Sequence, residues 1–194
     1  MVAGIRALST QLNHAISSER SRLSGTAIEL VTALLAGLGH SFAPLITLFL
    51  PTLIGLCART NKVFTKRAKT CVLAVIQGTQ SQSPLPILVR SLAHKSPAVR
   101  LVAAEGILAY LNRPAVDVTR VRLLEEAIKL TSRDASAEVR KTGTKIFEAY
   151  KAILPERIER SVPNVSANDD TSHVYHSAFP RSVQLLKARR LLRR

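Results

Sequence analysis

The 194-residue sequence has no tryptophan, one methionine, two cysteines and only 4% aromatic residues. Without aromatic bulk the core has to be aliphatic, which suits stacked helices better than an all-β fold. The two thiols, Cys57 and Cys71, both fall in apolar segments and make no disulfide framework. A reducing compartment is the simpler expectation. Acids are scarce as well: 13 Asp and Glu stand against 28 Lys and Arg, for a net charge of +15. A surplus of that size implies an acidic partner, whether nucleic acid, anionic membrane or protein, without choosing among them.

Signatures of catalysis are missing too. Gly37-Leu38-Gly39 lacks the third glycine and the preceding strand of a phosphate-binding loop, and no H-E-x-x-H occurs. His173 and His176 have H-x-x-H spacing but no nearby cysteine, and only Asp169 and Asp170 as carboxylates. Glu125 and Glu126 are adjacent, so on a helix they face different ways. His14, His40 and His94 are scattered near expected helix ends. The expectation is a binding protein, not an enzyme, with no cofactor and no metal.

Charge itself is absent from Leu30 to Ala58, a run of 29 residues. That is long enough to cross a bilayer. Gly37, Gly39, His40, Ser41, Pro44 and Pro51 interrupt it, so two buried helices around a Gly-His-Ser turn are expected instead of a membrane span.

What is present is a repeat. Ser96-Pro97-Ala98-Val99-Arg100 returns 40 residues later as Ser136-Ala137-Glu138-Val139-Arg140. Each reads as a polar turn entering a helix. Ser96 and Ser136 are placed as N-caps, and Pro97 sits where a missing N–H costs nothing. Leu23 and Val63 read as looser copies of Val99 and Val139. A period near 40 with two helices per unit predicts an all-α HEAT-repeat solenoid. Apolar residues at three- and four-residue steps place helices at 3–17, 23–37, 85–93, 98–112, 117–131 and 136–154. Two more are expected within the uncharged run and through the basic window that follows it. This makes about four pairs over residues 1–154. Residues 155–180 lose periodicity and read as a disordered linker. Residues 181–194 are basic and amphipathic, through Val183, Leu185, Leu186, Leu191 and Leu192. They read as a solvated tail, or as a docking helix for an acidic partner or a membrane surface.

In a solenoid of paired helices the turns inside the repeats fall on one edge. Those turns carry Arg20 and Arg22, then Asn61, Lys62 and Lys66, then Lys95 and Ser96, then Arg133, Ser136 and Lys141. Stacked about 10 Å apart, they form a basic ridge. Arg100, Asp134 and Arg140 have the spacing of a ladder that joins neighbouring repeats, with Asp134 and Arg140 across one turn.

The linked series 23–27, 37–45, 50–53, 60–64, 94–100 and 134–140 resembles the TOG domains of the CLASP family of microtubule-associated proteins. The series includes Gly37-Leu38-Gly39-His40-Ser41-Phe42, Thr60-Asn61-Lys62-Val63-Phe64, His94-Lys95-Ser96-Pro97 and Asp134-Ala135-Ser136, and it covers about residues 17–154. The resemblance implies a module that binds tubulin or microtubules, stabilises them and supports the mitotic spindle. By that carry-over Arg20, Arg22, Asn61, Lys62, Lys66, Lys95, Ser96, Arg133 and Lys141 face tubulin, and the location is the cytoplasm and cytoskeleton, with the spindle or nucleus beyond them. The sequence departs from the family in having about four repeats where six are usual, and no tryptophan in its first turn. It therefore looks like a domain incomplete at its N-terminus. The competing reading is a general HEAT scaffold for another acidic protein or nucleic acid. The lack of surface aromatics argues against stacking of single-stranded nucleic acid.

Overall fold

The computed structural model describes residues 1–113 and 118–155, and a first compact unit runs Met1–Pro155. The expected linker from residue 156 on, the His173/His176 pair and the basic segment 181–194 lie outside the described residues.

Among the described residues every regular element is helical. The α-helices are α1 (Val2–Ala7), α2 (Ser9–Ile16), α3 (Ser21–Leu38), α4 (Ile46–Leu56), α5 (Lys62–Gly78), α6 (Pro84–Ser91), α7 (Pro97–Leu111), α8 (Val121–Ser132) and α9 (Ala137–Ile153). Short 3-10 segments precede α4 (Gly39–Leu45) and α8 (Val118–Arg120). Helices pair in sequence as α2/α3, α4/α5, α6/α7 and α8/α9. The first members also pack on one another in the order α2, α4, α6, α8, and the second members in the order α3, α5, α7, α9. Two parallel rows built from successive hairpins make an α-solenoid of HEAT type.

The core is mostly aliphatic, with Phe42, Phe49, Phe64, Tyr110 and Tyr150 the rings buried among the described residues. Helix α7 lies at its centre, against α5, α6 and α9. Its small residues Ala103, Ala104 and Gly106 let neighbours approach. A Cβ on Gly106 would stand 2.8 Å from Leu88 Cδ2 and 2.9 Å from Ile76 Cδ1. Cys57 and Cys71 are both free and buried, and burial pushes the Cys57 thiol up to about 11.

The uncharged run divides where the glycines were expected to break it, though only one of them ends the helix. Gly37 stays inside α3, while Gly39 takes φ 51°, a backbone conformation that side chains with a Cβ disfavour. Ser21–Leu56 is apolar and long enough in total to span a bilayer. It is folded instead as helix, 3-10 segment and helix, and Phe49, Leu50 and Leu53 of α4 are buried in the core.

Three expectations are corrected. Residues 3–17 form two helices, because Leu8 sits at φ −91°, ψ 2° and the Ser9 hydroxyl donates to the Arg6 carbonyl at 2.7 Å. Such a local bond competes with the helical ladder. Leu23 and Val63 are not equivalents of the buried Val99 and Val139, being 47% and 58% exposed. Phe64 takes the buried place in α5, one residue later than the repeat spacing suggested. Nor do the hydroxyls of Ser96 and Ser136 cap their helices. Instead each serine N–H donates to a side chain two residues upstream, to His94 Nδ1 at 3.0 Å and to Asp134 Oδ1 at 2.8 Å.

Candidate functional site

Four turns, at residues 17–20, 57–61, 92–96 and 133–136, each join the first helix of a pair to the second. Because the helices of each row run parallel, all four turns lie on one edge. All four second helices also start there, so the positive ends of their dipoles converge on it. Helices α3, α5 and α7 have no acid in their first turn, and α9 has only Glu138.

Onto this edge the chain places Arg20, Arg22, Lys62, Lys66, Lys95, Arg133 and Lys141, all exposed. None of the seven has an ion pair or side-chain hydrogen bond within the described residues. Asn61 is exposed and caps α5 through Oδ1, which accepts from Val63 N–H at 2.9 Å. Ser96 is half-buried in the third turn. The first helices α2, α4, α6 and α8 end on the same edge, so the negative ends of their dipoles offset the positive ones, and it is the side-chain charge that makes the edge cationic.

Other cations of the same segments are consumed internally. Arg59 donates to the Ser18 carbonyl at 3.0 Å and also to the Ser17 carbonyl, pairs with Glu19 at 3.1 Å, and lies 5.1 Å over the Phe64 ring. It ties the first turn to the second. Lys69 pairs with Glu105 at 2.7 Å, joining α5 to α7, and Arg67 lies 3.9 Å from Glu29. So the window Arg59–Lys69, the most basic among the described residues, leaves two of its five cations, Lys62 and Lys66, available to a partner.

The third and fourth turns are joined by Arg100 and Asp134. Arg100 makes a two-pronged bond, Nε to Oδ2 at 2.6 Å and Nη2 to Oδ1 at 2.9 Å. Its Nη1 donates to the His94 and Lys95 carbonyls at 3.0 and 3.1 Å. The Asp134 carboxyl is held below the usual carboxylate range, first by the Arg100 bond, and the Arg100 guanidinium is raised in turn. Arg140 repeats the inner half of this pattern and donates to the Asp134 and Ala135 carbonyls at 2.7 and 2.9 Å. The Asp134 carboxylate reaches back to the preceding repeat, and Arg140 holds only the backbone of its own turn.

The sequence matches the CLASP N-terminal family over residues 1–172. The chain belongs to that family. Protein stu-1 of Neurospora crassa is 24% identical over 163 residues, covering 80% of this chain and 14% of its own length. The CLIP-associated protein of Arabidopsis thaliana is 28% identical over 157 residues, covering 79% of this chain and 11% of its own. Protein STU1 of Mycosarcoma maydis is 30% identical over 115 residues, 59% of this chain and 9% of its own. The chain thus spans about a tenth of the length of these relatives. In fold it is similar to a solved chain from a study of microtubule plus-end tracking by XMAP215, CLIP-170 and EB1. The TM-score is 0.64 at 20% identity, over 78% of this chain and 68% of that one.

In this CLASP N-terminal chain, sequence reading missed one structural cation entirely. Arg113 is 7% exposed, stacks 3.8 Å over the Tyr110 ring, and donates to the Thr79 carbonyl at 2.7 Å and the Ser81 carbonyl at 3.0 Å. Burial lowers its proton affinity, against the pull of Tyr110. Among the described residues no group of three or more His, Cys, Asp or Glu could hold a metal ion.

Proposed function

We propose that residues 1–154 form a tubulin- and microtubule-binding module of a CLASP-like protein that stabilises microtubules and supports the mitotic spindle. One observation carries the reading: seven cations with no ion pair among the described residues stand at or beside four intra-repeat turns along one edge, in a chain of the CLASP family. The partner is acidic protein, engaged by Arg20, Arg22, Lys62, Lys66, Lys95, Arg133 and Lys141, with Asn61 and Ser96 supplying neutral contacts. Asp134, Arg100 and Arg140 hold the turns in register. The module works at the cytoskeleton by binding, with no catalytic step.

Co-sedimentation with microtubules tests this. Changing Lys62, Lys95 and Lys141 together to glutamate should lower binding at least tenfold while the thermal melt stays in place, since all three side chains are exposed. Wild-type binding should also weaken as salt rises, because exposed charges are screened over about 10 Å at 0.1 M. Unchanged pelleting of the triple variant removes the proposal. Tighter binding to random duplex DNA than to microtubules would favour the general scaffold.

A further inference from the structure

Ser-Pro occurs twice in the sequence, at Ser83-Pro84 and Ser96-Pro97, and Thr-Pro does not occur. Proline just inside a helix start is ordinary, because the N–H it lacks would have no partner there. Pro84 is used that way and is buried at the start of α6. Ser83 before it has φ −60° and ψ −29°, and its hydroxyl accepts from that of Ser81 at 3.0 Å. Ser96 differs on each count. Its backbone is extended, at φ −78° and ψ 123°, and its hydroxyl neither caps α7 nor bonds elsewhere among the described residues. Pro97 is exposed, as are Lys95 and Ala98. Between the buried Leu92 and Val99 no residue from 93 to 98 is buried. An enzyme cleft can therefore grip this turn without opening the core. Ser136, at the matching place in the fourth repeat, has the same extended backbone, φ −80° and ψ 124°, but alanine follows it. Among the described residues Ser96 alone joins an unbonded hydroxyl, an extended backbone and an exposed proline directly after it. Proline-directed protein kinases select for that combination.

The turn can carry a phosphate without being dismantled. Its anchors are backbone atoms: the Ser96 N–H on His94 Nδ1 at 3.0 Å, and the His94 and Lys95 carbonyls on Arg100 Nη1. None of them uses Ser96 Oγ. A phosphoserine brings about −1.5 to −2 charges at pH 7. Lys95 beside it supplies one positive charge, so the third turn changes sign in the middle of the basic edge. An acidic surface that the unmodified edge attracts is then repelled at its centre.

We propose that Ser96 is a phosphorylation site for a proline-directed kinase, and that its phosphate turns acidic partners away from the basic edge. Ser96 Oγ attacks the γ-phosphorus of ATP. The new P–O bond replaces the bond to the β-phosphate, ADP leaves, and the hydroxyl proton passes to the kinase's base. The effect on binding rests on the reading of this edge as the face for acidic protein, whereas the site itself does not.

The test treats the full chain with ATP and a mitogen-activated-class kinase and maps the product by mass spectrometry. Ser96 should be modified at least tenfold faster than Ser83 or Ser136, and Ser96→Ala should remove the fast phase. Co-sedimentation of the modified chain with microtubules should weaken about fivefold at low salt, and the difference should shrink as salt rises. Its thermal melt should not fall, and treated and untreated Ser96→Ala should pellet alike. Elution from immobilised poly-glutamate reads the same charge change without tubulin and should move to lower salt. A chain that does not pellet even unmodified, yet elutes earlier once Ser96 is phosphorylated, would remove the tubulin reading and sustain the switch. A Ser96 that stays unmodified in the folded chain overturns the inference. So does a Ser96-phosphorylated chain that pellets and elutes as before, or one that unfolds on modification.

Discussion

The third and fourth repeats are joined at their turns by a two-pronged Arg100–Asp134 pair, with side chains 15% and 7% exposed. The first and second are joined at the same topological place by Arg59, whose acidic partner Glu19 is 91% exposed. One junction is a mostly desolvated charge pair with every oxygen of Asp134 occupied. The other is a cation on backbone carbonyls with a solvated carboxylate beside it. The solenoid does not need one fixed rung chemistry. It needs each turn's carbonyls satisfied and each neighbour tied, and the two ends of the stack reach this with different residues. The cost of losing a rung should differ accordingly.

The largest effect should come from Asp134→Ala. It strands the Arg100 guanidinium and frees the Ser136 N–H, and removing one partner of a buried pair costs about 3 kcal/mol. The melting temperature should fall by about 10 °C for a domain of this size. A double replacement, Arg100→Met with Asp134→Leu, should recover most of the loss, because no uncompensated charge remains. The same pair sets a pH dependence. The Asp134 carboxyl is held low in the folded state and is ordinary in the unfolded one, so the unfolded chain takes up the proton more readily. Its stabilisation is complete above about pH 4 and disappears as pH falls through the depressed folded value. Melts taken from pH 6 down to pH 2 should therefore fall more steeply for the wild type than for Asp134→Asn.

A second contrast lies in how tightly the two ends pack. A Cβ on Gly143 of α9 would meet Thr131 at 2.6 Å from Oγ1, 2.8 Å from Cβ and 3.2 Å from the backbone carbon. Thr131 is itself fixed by its bond to the Ala127 carbonyl at 2.8 Å. Overpacking of about 2 kcal/mol, less about 1 kcal/mol of helix propensity gained, leaves Gly143→Ala destabilised by about 1 kcal/mol. Gly55 of α4 has nothing within 4 Å of its Cβ position. Gly55→Ala should keep the full propensity gain and raise stability by about 0.5–1 kcal/mol. Urea titrations of the two alanine variants should move their midpoints in opposite directions.

The rows of helices were legible because their signal is local: apolar periodicity, Pro97 at a helix start, and the return of Val-Arg after 40 residues. The candidate edge was legible for the same reason, since turns in a regular stack must share a side. What could not be read depends on contacts between distant residues. Nothing near Arg113 in sequence says that it will lie on Tyr110 and reach the carbonyls of Thr79 and Ser81. The serine caps failed for a subtler reason. What anchors each turn is the N–H of the serine itself, given to a ring nitrogen or carboxylate two residues upstream, and His94 and Asp134 stand at matching places 40 residues apart. That equivalence was visible in the repeat but was outweighed by the preference for serine. The one-residue slip at Phe64 arises because the spacing from α5 to α7 is shorter than that from α7 to α9.

The smallest effects should come from the first junction. Arg59→Ala removes two bonds to carbonyls that water can partly replace, along with the contact over Phe64. Its cost should be about 1 kcal/mol, a typical net value for such bonds. Glu19→Gln should cost under about 0.5 kcal/mol, because a carboxylate so exposed gains little from its partner. It would also raise the positive charge of the edge by one next to Arg20 and Arg22. Of all these changes, this one alone should leave the melt where it is and tighten binding to microtubules at low salt. A Glu19→Gln variant that unfolded several degrees early would mean that the two junctions are alike after all, and that the solvated pair carries as much as the buried one.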